Sequence, residues 1–121
     1  MGTNLQFKEI KSREETKLRK DLEVIERILS KPWKMKILHE VYKTWTEDPK
    51  KGLSGYKLAR LTKKQISTVY EFLHEMVGYG VFEFLDEVND VKKVRITQYG
   101  IEIYTKIEST INLIVRLIMI S

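Results

Sequence analysis

Residues 54–77 read SGYKLARLTKKQISTVYEFLHEMV and contain two helical patterns separated by a charged turn. Ser54 can cap a first helix over residues 55–61, because a serine side chain accepts a hydrogen bond from a free N–H of the first helical turn. A tight turn is expected at residues 62–64, and a second helix is predicted over residues 65–77. Two helices joined by so short a turn predict a helix-turn-helix unit.

The apolar residues of the second helix are expected to lie on its inner side. They recur at three and four residues, which is the period of one helical face. The predicted inner residues of the second helix are Ile66, Val69, Leu73, Met76 and Val77, and the apolar residues of the first helix are Tyr56, Leu58 and Leu61. Gly78-Tyr79-Gly80 is expected to end the second helix, because glycine readily adopts the left-handed conformation that closes a helix.

A β-hairpin is predicted directly after this unit. Residues 81–88 and 91–97 are rich in β-branched and aromatic side chains, and Asn89-Asp90 between them suits a two-residue turn. Counting back from that turn places Glu87 opposite Lys92, Asp86 opposite Lys93 and Leu85 opposite Val94. Opposite charges that face each other across two strands favour this register.

Two further helices are predicted before the helix-turn-helix unit. Residues 5–30 form an amphipathic helix with one apolar stripe, Leu18, Leu22, Ile25 and Leu29. Ser30 can end this helix and cap the next one, residues 32–45, and Pro32 is tolerated in the first turn of that second helix. The apolar face of this second helix is expected to contain Trp33, Ile37 or Leu38, Val41 and Trp45.

A last helix is predicted from residue 98 to near the C-terminus, with Thr97 as its cap. Its apolar residues repeat in a heptad pattern, Tyr104, Ile107, Ile111, Ile114 and Ile118. These elements together predict an α+β fold that is mostly helical. A winged helix-turn-helix domain with a two-stranded β-wing, residues 31–97, lies between an N-terminal helix, residues 5–30, and a C-terminal dimerisation helix, residues 98–121.

The composition restricts the partners that the protein can have. The chain has 121 residues, a formal net charge of +5 and no cysteine, which favours an anionic partner and excludes disulfides and thiolate metal sites. The N-terminus does not resemble a signal peptide, and the apolar run of residues 111–120 is too short to span a membrane. We therefore expect a cytoplasmic protein without a metal or cofactor, and the Ile- and Lys-rich composition hints at an archaeal source.

Positive charge is concentrated around the predicted helix-turn-helix unit. Residues 50–70 contain six basic and no acidic side chains, and the wing adds Lys92, Lys93 and Arg95. Because lysine and arginine neutralise phosphates, double-stranded DNA is the expected partner. An ordinary solvated surface is the alternative interpretation of the same stretch.

Four short motifs resemble those of PadR-type winged-helix regulators. SGYKLA at residues 54–59 resembles the opening of their second helix, and STVYEFL at residues 67–73 resembles the start of their recognition helix. GVF at residues 80–82 resembles the entry to the wing, and ITQYG at residues 96–100 resembles an exit that MarR-like regulators share. The resemblance covers roughly residues 32–104 and implies a DNA-binding transcriptional regulator.

The resemblance also implies which side chains contact DNA. Lys63 and Lys64 would bind phosphates, whereas Gln65 and Thr68 would reach base edges. Tyr70 is open to three interpretations, as a core residue, a phosphate contact or a base contact. The complete predicted DNA surface is Lys57, Arg60, Lys63, Lys64, Gln65, Ser67, Thr68, Tyr70, Glu71, His74, Lys92, Lys93 and Arg95.

The two terminal helices can pack in two ways. The isoleucine seam of the last helix could cover the N-terminal stripe of its own chain, or it could form the core of a homodimer with a second copy. We expect the homodimer, because a small domain offers limited surface for both terminal helices. The predicted dimerisation residues are Leu22, Ile25, Leu29, Tyr104, Ile107, Ile111, Ile114 and Ile118.

The sequence contains no recognisable catalytic motif, so an enzyme is not expected. His39 and His74 lack the neighbours that a zinc site requires. Two alternatives to a sequence-specific regulator stay open. One is a winged-helix module that binds other proteins, and the other is an architectural protein that binds DNA without sequence preference. No small-molecule effector is predicted.

Overall fold

The computed structural model describes residues 2–86 and 91–120, with side chains from residue 9 onward. The elements are α1 (Gly2–Leu29), α2 (Pro32–Glu47), β1 (Leu53–Ser54), α3 (Gly55–Thr62), α4 (Ile66–Gly78), β2 (Phe82–Phe84), β3 (Lys93–Ile96) and α5 (Gln98–Ile120). This order confirms the predicted architecture of terminal helices around a helix-turn-helix unit and a hairpin. No helix within the described residues is long and apolar enough to cross a membrane.

Side-chain caps begin two of the helices as predicted. The Ser54 hydroxyl accepts a hydrogen bond from the Lys57 backbone N–H at 3.1 Å, and the Thr97 hydroxyl accepts one from the Gly100 N–H at 3.0 Å. The prediction that Ser30 caps α2 is wrong. Lys31 occupies the N-cap position of α2, and Ser30 instead donates its hydroxyl hydrogen to the Arg27 carbonyl at the end of α1.

Gly80 closes α4 in the predicted way. Its φ angle is 82°, in the left-handed region, while Gly78 is the last residue of the helix itself. The Val81 N–H then donates to the Met76 carbonyl at 2.9 Å and the Gly80 N–H to the Val77 carbonyl at 3.0 Å. This pair of bonds is a Schellman motif, which satisfies the last carbonyls of the helix and turns the chain into β2.

The sheet has three antiparallel strands in the order β1-β3-β2, rather than the predicted two. Residues 53–54 add the extra strand, which was not predicted because two residues carry no readable periodicity. The predicted register of the hairpin is also wrong by one residue. The observed pairs are Phe82 with Ile96, Glu83 with Arg95 and Phe84 with Val94, and Leu85 rather than Asp86 bonds to Lys93.

Packing explains the observed register. Successive strand residues point to opposite faces, so a shift of one residue would place Glu83 opposite Ile96 and Phe84 opposite Arg95. The observed register instead pairs apolar with apolar residues and glutamate with arginine, and it buries Phe82, Val94 and Ile96. The predicted turn at Asn89-Asp90 and the predicted partner Glu87 lie outside the described residues.

The core lies where α2, α4, the sheet and the start of α5 meet. Both Ile37 and Leu38 are fully buried, so the prediction that one of them faces inward understates the apolar face of α2. Of the apolar residues of α3, Leu58 is fully buried, whereas Tyr56 is 59% exposed. The remaining buried side chains include Val69, Phe72, Leu73, Met76, Val81, Ile103 and Ile107.

A buried carboxylate joins α1 to α5. Asp21 is only 2% exposed, and it accepts hydrogen bonds of 2.6 Å from the Tyr99 hydroxyl and 2.6 Å from the Lys106 ammonium. Burial alone would raise the pKa of Asp21, but the bonds from Lys106 and Tyr99 outweigh it and hold that pKa below its ordinary value. Asp21 lies on the inner stripe of α1 with Val24 and Ile28, a stripe that the sequence interpretation missed.

Candidate nucleic-acid interface

The turn between α3 and α4 is short because Lys63 adopts a left-handed conformation. Its φ is 56°, and the following residue, Lys64, donates its backbone N–H to the Ala59 carbonyl at 3.2 Å. A lysine in this conformation is strained by about 1 kcal/mol or more, because its Cβ crowds the following carbonyl. The Lys36 ammonium donates to the Leu61 carbonyl at 2.9 Å and so caps the end of α3 from α2.

The outer side of α4, which we call the reading face, consists of Gln65, Ser67, Thr68, Glu71 and His74. Four of these side chains are exposed, and Thr68 is half-buried. The opposite side of the helix is held in the core by Val69, Phe72, Leu73 and Met76. The structure therefore places the reading face in solvent where it was predicted, and its contact with DNA stays a prediction.

Basic side chains surround the start of the reading face. Lys57, Arg60, Lys63 and Lys64 are all exposed, on α3 and in the turn that follows it. The start of α2 adds three lysines that the sequence interpretation did not include, Lys31, Lys34 and Lys36. Their signal was readable in the sequence, since residues 31–36 hold three lysines and no acidic side chain.

Tyr70 joins α3, α4 and the wing. Its ring lies against Gly55 and meets the Tyr56 ring edge-on, with the centroids 6.3 Å apart. Its hydroxyl is 3.4 Å from the Lys92 carbonyl, which is a long hydrogen bond. Of the three interpretations of Tyr70, the structure supports the core residue, because its side chain packs between α3, α4 and the wing. The exposed Tyr56 ring beside it is an aromatic surface residue that the sequence interpretation missed.

The wing contacts α4 through Phe84. The His74 ring lies 4.9 Å from the Phe84 ring, and the Lys92 ammonium lies 5.4 Å from the same ring centroid. Lys92 and Lys93 are exposed, but Arg95 is ion-paired with Glu83, with 2.7 Å between Arg95 Nε and Glu83 Oε1. The positive charge of the wing is therefore smaller than its three basic residues indicate.

The predicted dimerisation residues fall into three groups by burial. Tyr104 and Ile107 lie in the core of their own chain, where the Tyr104 hydroxyl is 2.8 Å from His39 Nδ1 and the Tyr42 ring stacks on Tyr104 at 4.0 Å. Ile25 is half-buried. Leu22, Leu29, Ile111, Ile114 and Ile118 are between 45% and 67% exposed, and Leu18 is exposed beside them. We call these six exposed residues the terminal seam.

Three features of the structure define a winged helix-turn-helix protein. A basic turn joins a pair of helices, the second helix has an exposed polar face, and an antiparallel hairpin follows the pair. Within the described residues no three acidic or histidine side chains are grouped so that they could hold a metal ion. No protein-family model and no curated protein matches the sequence.

Solved structures of transcription regulators share this fold. MepR, a transcription regulator of the Staphylococcus aureus multidrug efflux pump MepA, has a TM-score of 0.61 and 15% identity over 93% of this chain and 78% of MepR. The S. aureus MepR–DNA complex has a TM-score of 0.59 and 17% identity over 94% of this chain and 88% of MepR. PcaV of Streptomyces coelicolor, in complex with its natural ligand, has a TM-score of 0.55 and 12% identity over 89% of this chain and 77% of PcaV.

Proposed function

We propose that the protein binds double-stranded DNA as a homodimer and regulates transcription, with α4 of each copy in the major groove. The observation that carries this proposal is the position of the exposed reading face directly after a basic turn. A polar helix face next to a ring of lysine and arginine matches the chemistry of a DNA groove between two phosphate backbones. The binding of DNA by MepR, which has the same fold, supports it.

The basic residues and the reading face have different roles in this proposal. Arg60, Lys63 and Lys64 bind phosphates, which gives affinity for any duplex. Gln65 and Thr68 contact base edges, because glutamine can bond adenine through two hydrogen bonds and threonine can touch a thymine methyl group. Gln65 occupies the N-cap of α4, where its side chain is exposed and makes no capping bond. Its amide group is therefore available to bond to a base.

The terminal seam supplies the dimer interface. Exposed leucines on α1 and isoleucines on α5 form apolar stripes along two neighbouring helices, and monomeric proteins rarely expose large contiguous apolar patches. A second copy of the same two helices buries them in a symmetric bundle, in which each stripe meets its equivalent. The two α4 helices then face half-sites of a pseudo-palindrome about one helical turn apart.

Binding to DNA can be tested by fluorescence anisotropy on random duplexes at about 50 and 200 mM salt, a range over which several phosphate contacts produce a steep loss of affinity. A selection from a random-sequence pool is run in parallel. We expect a steep salt dependence and one enriched pseudo-palindrome. Salt-dependent binding without an enriched site would contradict sequence specificity and favour an architectural protein. No binding at the lower salt concentration would overturn the proposal and favour a protein-binding module.

The dimer can be tested by light scattering at micromolar concentration. We expect twice the chain mass of 14.4 kDa for the wild type and the chain mass itself for Ile114→Glu, because the substitution places a charge in the seam. Asn112→Glu is the matched control, since Asn112 is exposed on the same helix and lies about 160° around it from Ile114 at 100° per residue. A monomeric wild type would overturn the homodimer.

A further inference from the structure

Tyr56 is an exposed aromatic side chain at the start of α3. More than half of its surface is open to solvent. Its ring nevertheless has a fixed neighbour, because it meets the Tyr70 ring edge-on, with 6.3 Å between the centroids and 82° between the planes. The Tyr70 ring in turn lies against Gly55, at the first residue of the same helix. Packing therefore sets the position of the Tyr56 ring while its outer part stays in solvent.

The hydroxyl group of Tyr56 has no hydrogen-bond partner in the described part of the chain. Four of the six tyrosine hydroxyls are within hydrogen-bond distance of another group of the fold, those of Tyr70, Tyr79, Tyr99 and Tyr104. Among the described residues, the Tyr42 and Tyr56 hydroxyls have no such partner, and the Tyr42 ring is half-buried and stacked on another ring. The Tyr56 hydroxyl is therefore available to donate a hydrogen bond to a partner outside the chain.

Positive charge surrounds this hydroxyl group along α3. Lys57 follows Tyr56 directly, and Arg60 lies about 40° around the helix and about 6 Å along its axis from Tyr56. Both basic side chains are exposed, and neither forms an ion pair with an acidic side chain that the structure describes. Residues 50–70 contain no acidic side chain. The side of α3 that carries Tyr56 therefore attracts an anion that can accept a hydrogen bond.

We propose that Tyr56 is a contact to the DNA backbone. Its hydroxyl group donates a hydrogen bond to a phosphate oxygen, next to the phosphate that Arg60 binds. The first helix of a helix-turn-helix unit crosses the DNA backbone, and phosphate oxygens accept hydrogen bonds from tyrosine as well as from lysine and arginine. This contact rests on the proposed function, to which it adds an uncharged backbone contact at the start of α3.

A tyrosine strengthens backbone binding in a different way from a lysine. The salt dependence of DNA binding reflects the number of phosphates that cationic groups neutralise. Because the Tyr56 hydroxyl is neutral, its bond to a phosphate adds affinity without adding to that number. The contact with Tyr70 already holds the ring in place, so little side-chain freedom is lost on binding. The Tyr56 contact should therefore strengthen binding to any duplex by the same factor at every salt concentration.

Tyr56→Phe tests this contact, because it removes the hydroxyl group and keeps the ring. We expect the full-length variant to bind the selected site and a random duplex about tenfold more weakly, since a hydrogen bond to a charged group is lost. The slope of log affinity against log salt should stay unchanged, whereas Arg60→Ala should lower it by about one unit. Tyr42→Phe is the matched control, because it removes another unbonded hydroxyl, on α2, and it should leave affinity and slope unchanged.

Duplexes with a single methylphosphonate identify the phosphate that Tyr56 contacts. This group replaces one charged phosphate oxygen by a methyl group, and so removes an acceptor at one position of the backbone. We expect one position at which the replacement weakens binding by the wild type but has little effect on Tyr56→Phe, because that variant has already lost the bond. A substitution that only disturbed the packing of α3 would make no single phosphate dispensable.

The Tyr56 contact and the proposed function fail in different ways. A wild type that binds no DNA at about 50 mM salt would overturn both. If the wild type binds DNA and Arg60→Ala lowers the salt slope, but Tyr56→Phe binds as tightly as the wild type, the Tyr56 contact alone is overturned. The same holds if every methylphosphonate weakens Tyr56→Phe as much as the wild type. Thermal unfolding of Tyr56→Phe should match that of the wild type, and a lower unfolding temperature would assign the hydroxyl group to the fold instead of to DNA.

Discussion

The ring of Tyr70 lies so close to Gly55 that a Cβ on Gly55 would be 2.5 Å from Tyr70 Cζ. The first residue of α3 and the second turn of α4 are therefore separated by one ring thickness. Because α4 carries the reading face and α3 carries two of the basic residues, this contact sets the distance between the proposed base contacts and the proposed phosphate contacts.

Substitution of Gly55 by alanine should destabilise the protein by about 1–3 kcal/mol, the usual range for an extra methyl group in a packed site. The free energy of unfolding from urea titration measures the effect. Gly78→Ala is the matched control, because a Cβ there meets nothing within 4 Å and the residue is helical. That control should be neutral or more stable by up to about 1 kcal/mol. Equal stability of the two variants would refute the close contact.

The left-handed Lys63 predicts opposite effects on stability and on DNA binding. Lys63→Gly relieves the strain of φ 56°, so thermal unfolding should show equal or greater stability, by up to about 1 kcal/mol. The same variant loses one phosphate contact, so the slope of log affinity against log salt should fall by about one unit.

Two exposed lysines provide comparisons for that measurement. Lys64→Ala should reduce the salt slope by about one unit, and Lys11→Ala, on α1, should leave the slope unchanged. If Lys63→Gly and Lys11→Ala bind DNA with the same salt dependence, the basic turn does not contact phosphates.

Gln65→Ala should reduce sequence discrimination without loss of stability. The Gln65 side chain is exposed and makes no capping bond, so unfolding should change by no more than about 0.5 kcal/mol. Loss of a two-bond contact to a base should reduce the difference between the selected site and a random duplex by about 1–3 kcal/mol. Competition binding with both duplexes measures this difference, and an unchanged ratio would remove Gln65 from the base contacts.

The Asp21 carboxylate should make stability depend on acid pH. The folded protein holds the pKa of Asp21 below the unfolded value of about 3.9. Its stabilisation is therefore complete at neutral pH and is lost as the pH falls below about 4 toward the folded pKa. Asp21→Asn should cost about 1–3 kcal/mol at pH 7 and less at acid pH, because the hydrogen bonds to Tyr99 and Lys106 lose their charged acceptor.

The exposed pair between Lys17 and Glu102, 3.9 Å apart, serves as the control for the buried one. Glu102→Gln should change stability by less than about 1 kcal/mol, because solvent screens exposed charges. A stability difference between wild type and Asp21→Asn that does not shrink as the pH is lowered would contradict the role of the Asp21 charge.

Local signals were sufficient for most of the helix-turn-helix unit. Hydroxyl caps at Ser54 and Thr97, the proline that begins α2 and the left-handed Gly80 act on backbone groups within a few residues of themselves. Their effects can therefore be predicted from adjacent letters. The reading face follows from the same reasoning, because the buried positions of α4 recur with the helical period and leave the other side in solvent.

Contacts between distant segments account for the features that the sequence predicted wrongly or did not predict. The register of the hairpin was inferred from charge pairs counted from an assumed two-residue turn, whereas burial of Phe82 and Ile96 decides it. Strand β1 forms only because Leu53 meets Val94, forty-one residues away. Trp33 on α2 lies next to Phe72 on α4, with their ring centroids 5.6 Å apart, and no local pattern indicates that pair.

The sequence by itself determined where the helices of the helix-turn-helix unit begin and end, which side of α4 is exposed and where positive charge accumulates, because these properties depend on neighbouring residues. The tertiary structure decided which stripe of α1 faces the core, where Asp21 is buried and Leu22 is exposed. It also decided which part of the apolar seam of α5 packs within its own chain, since Ile107 is buried and Ile114 is exposed. The reason is physical: an apolar stripe has a helical period wherever it packs, and only the positions of the other elements determine which stripe they cover.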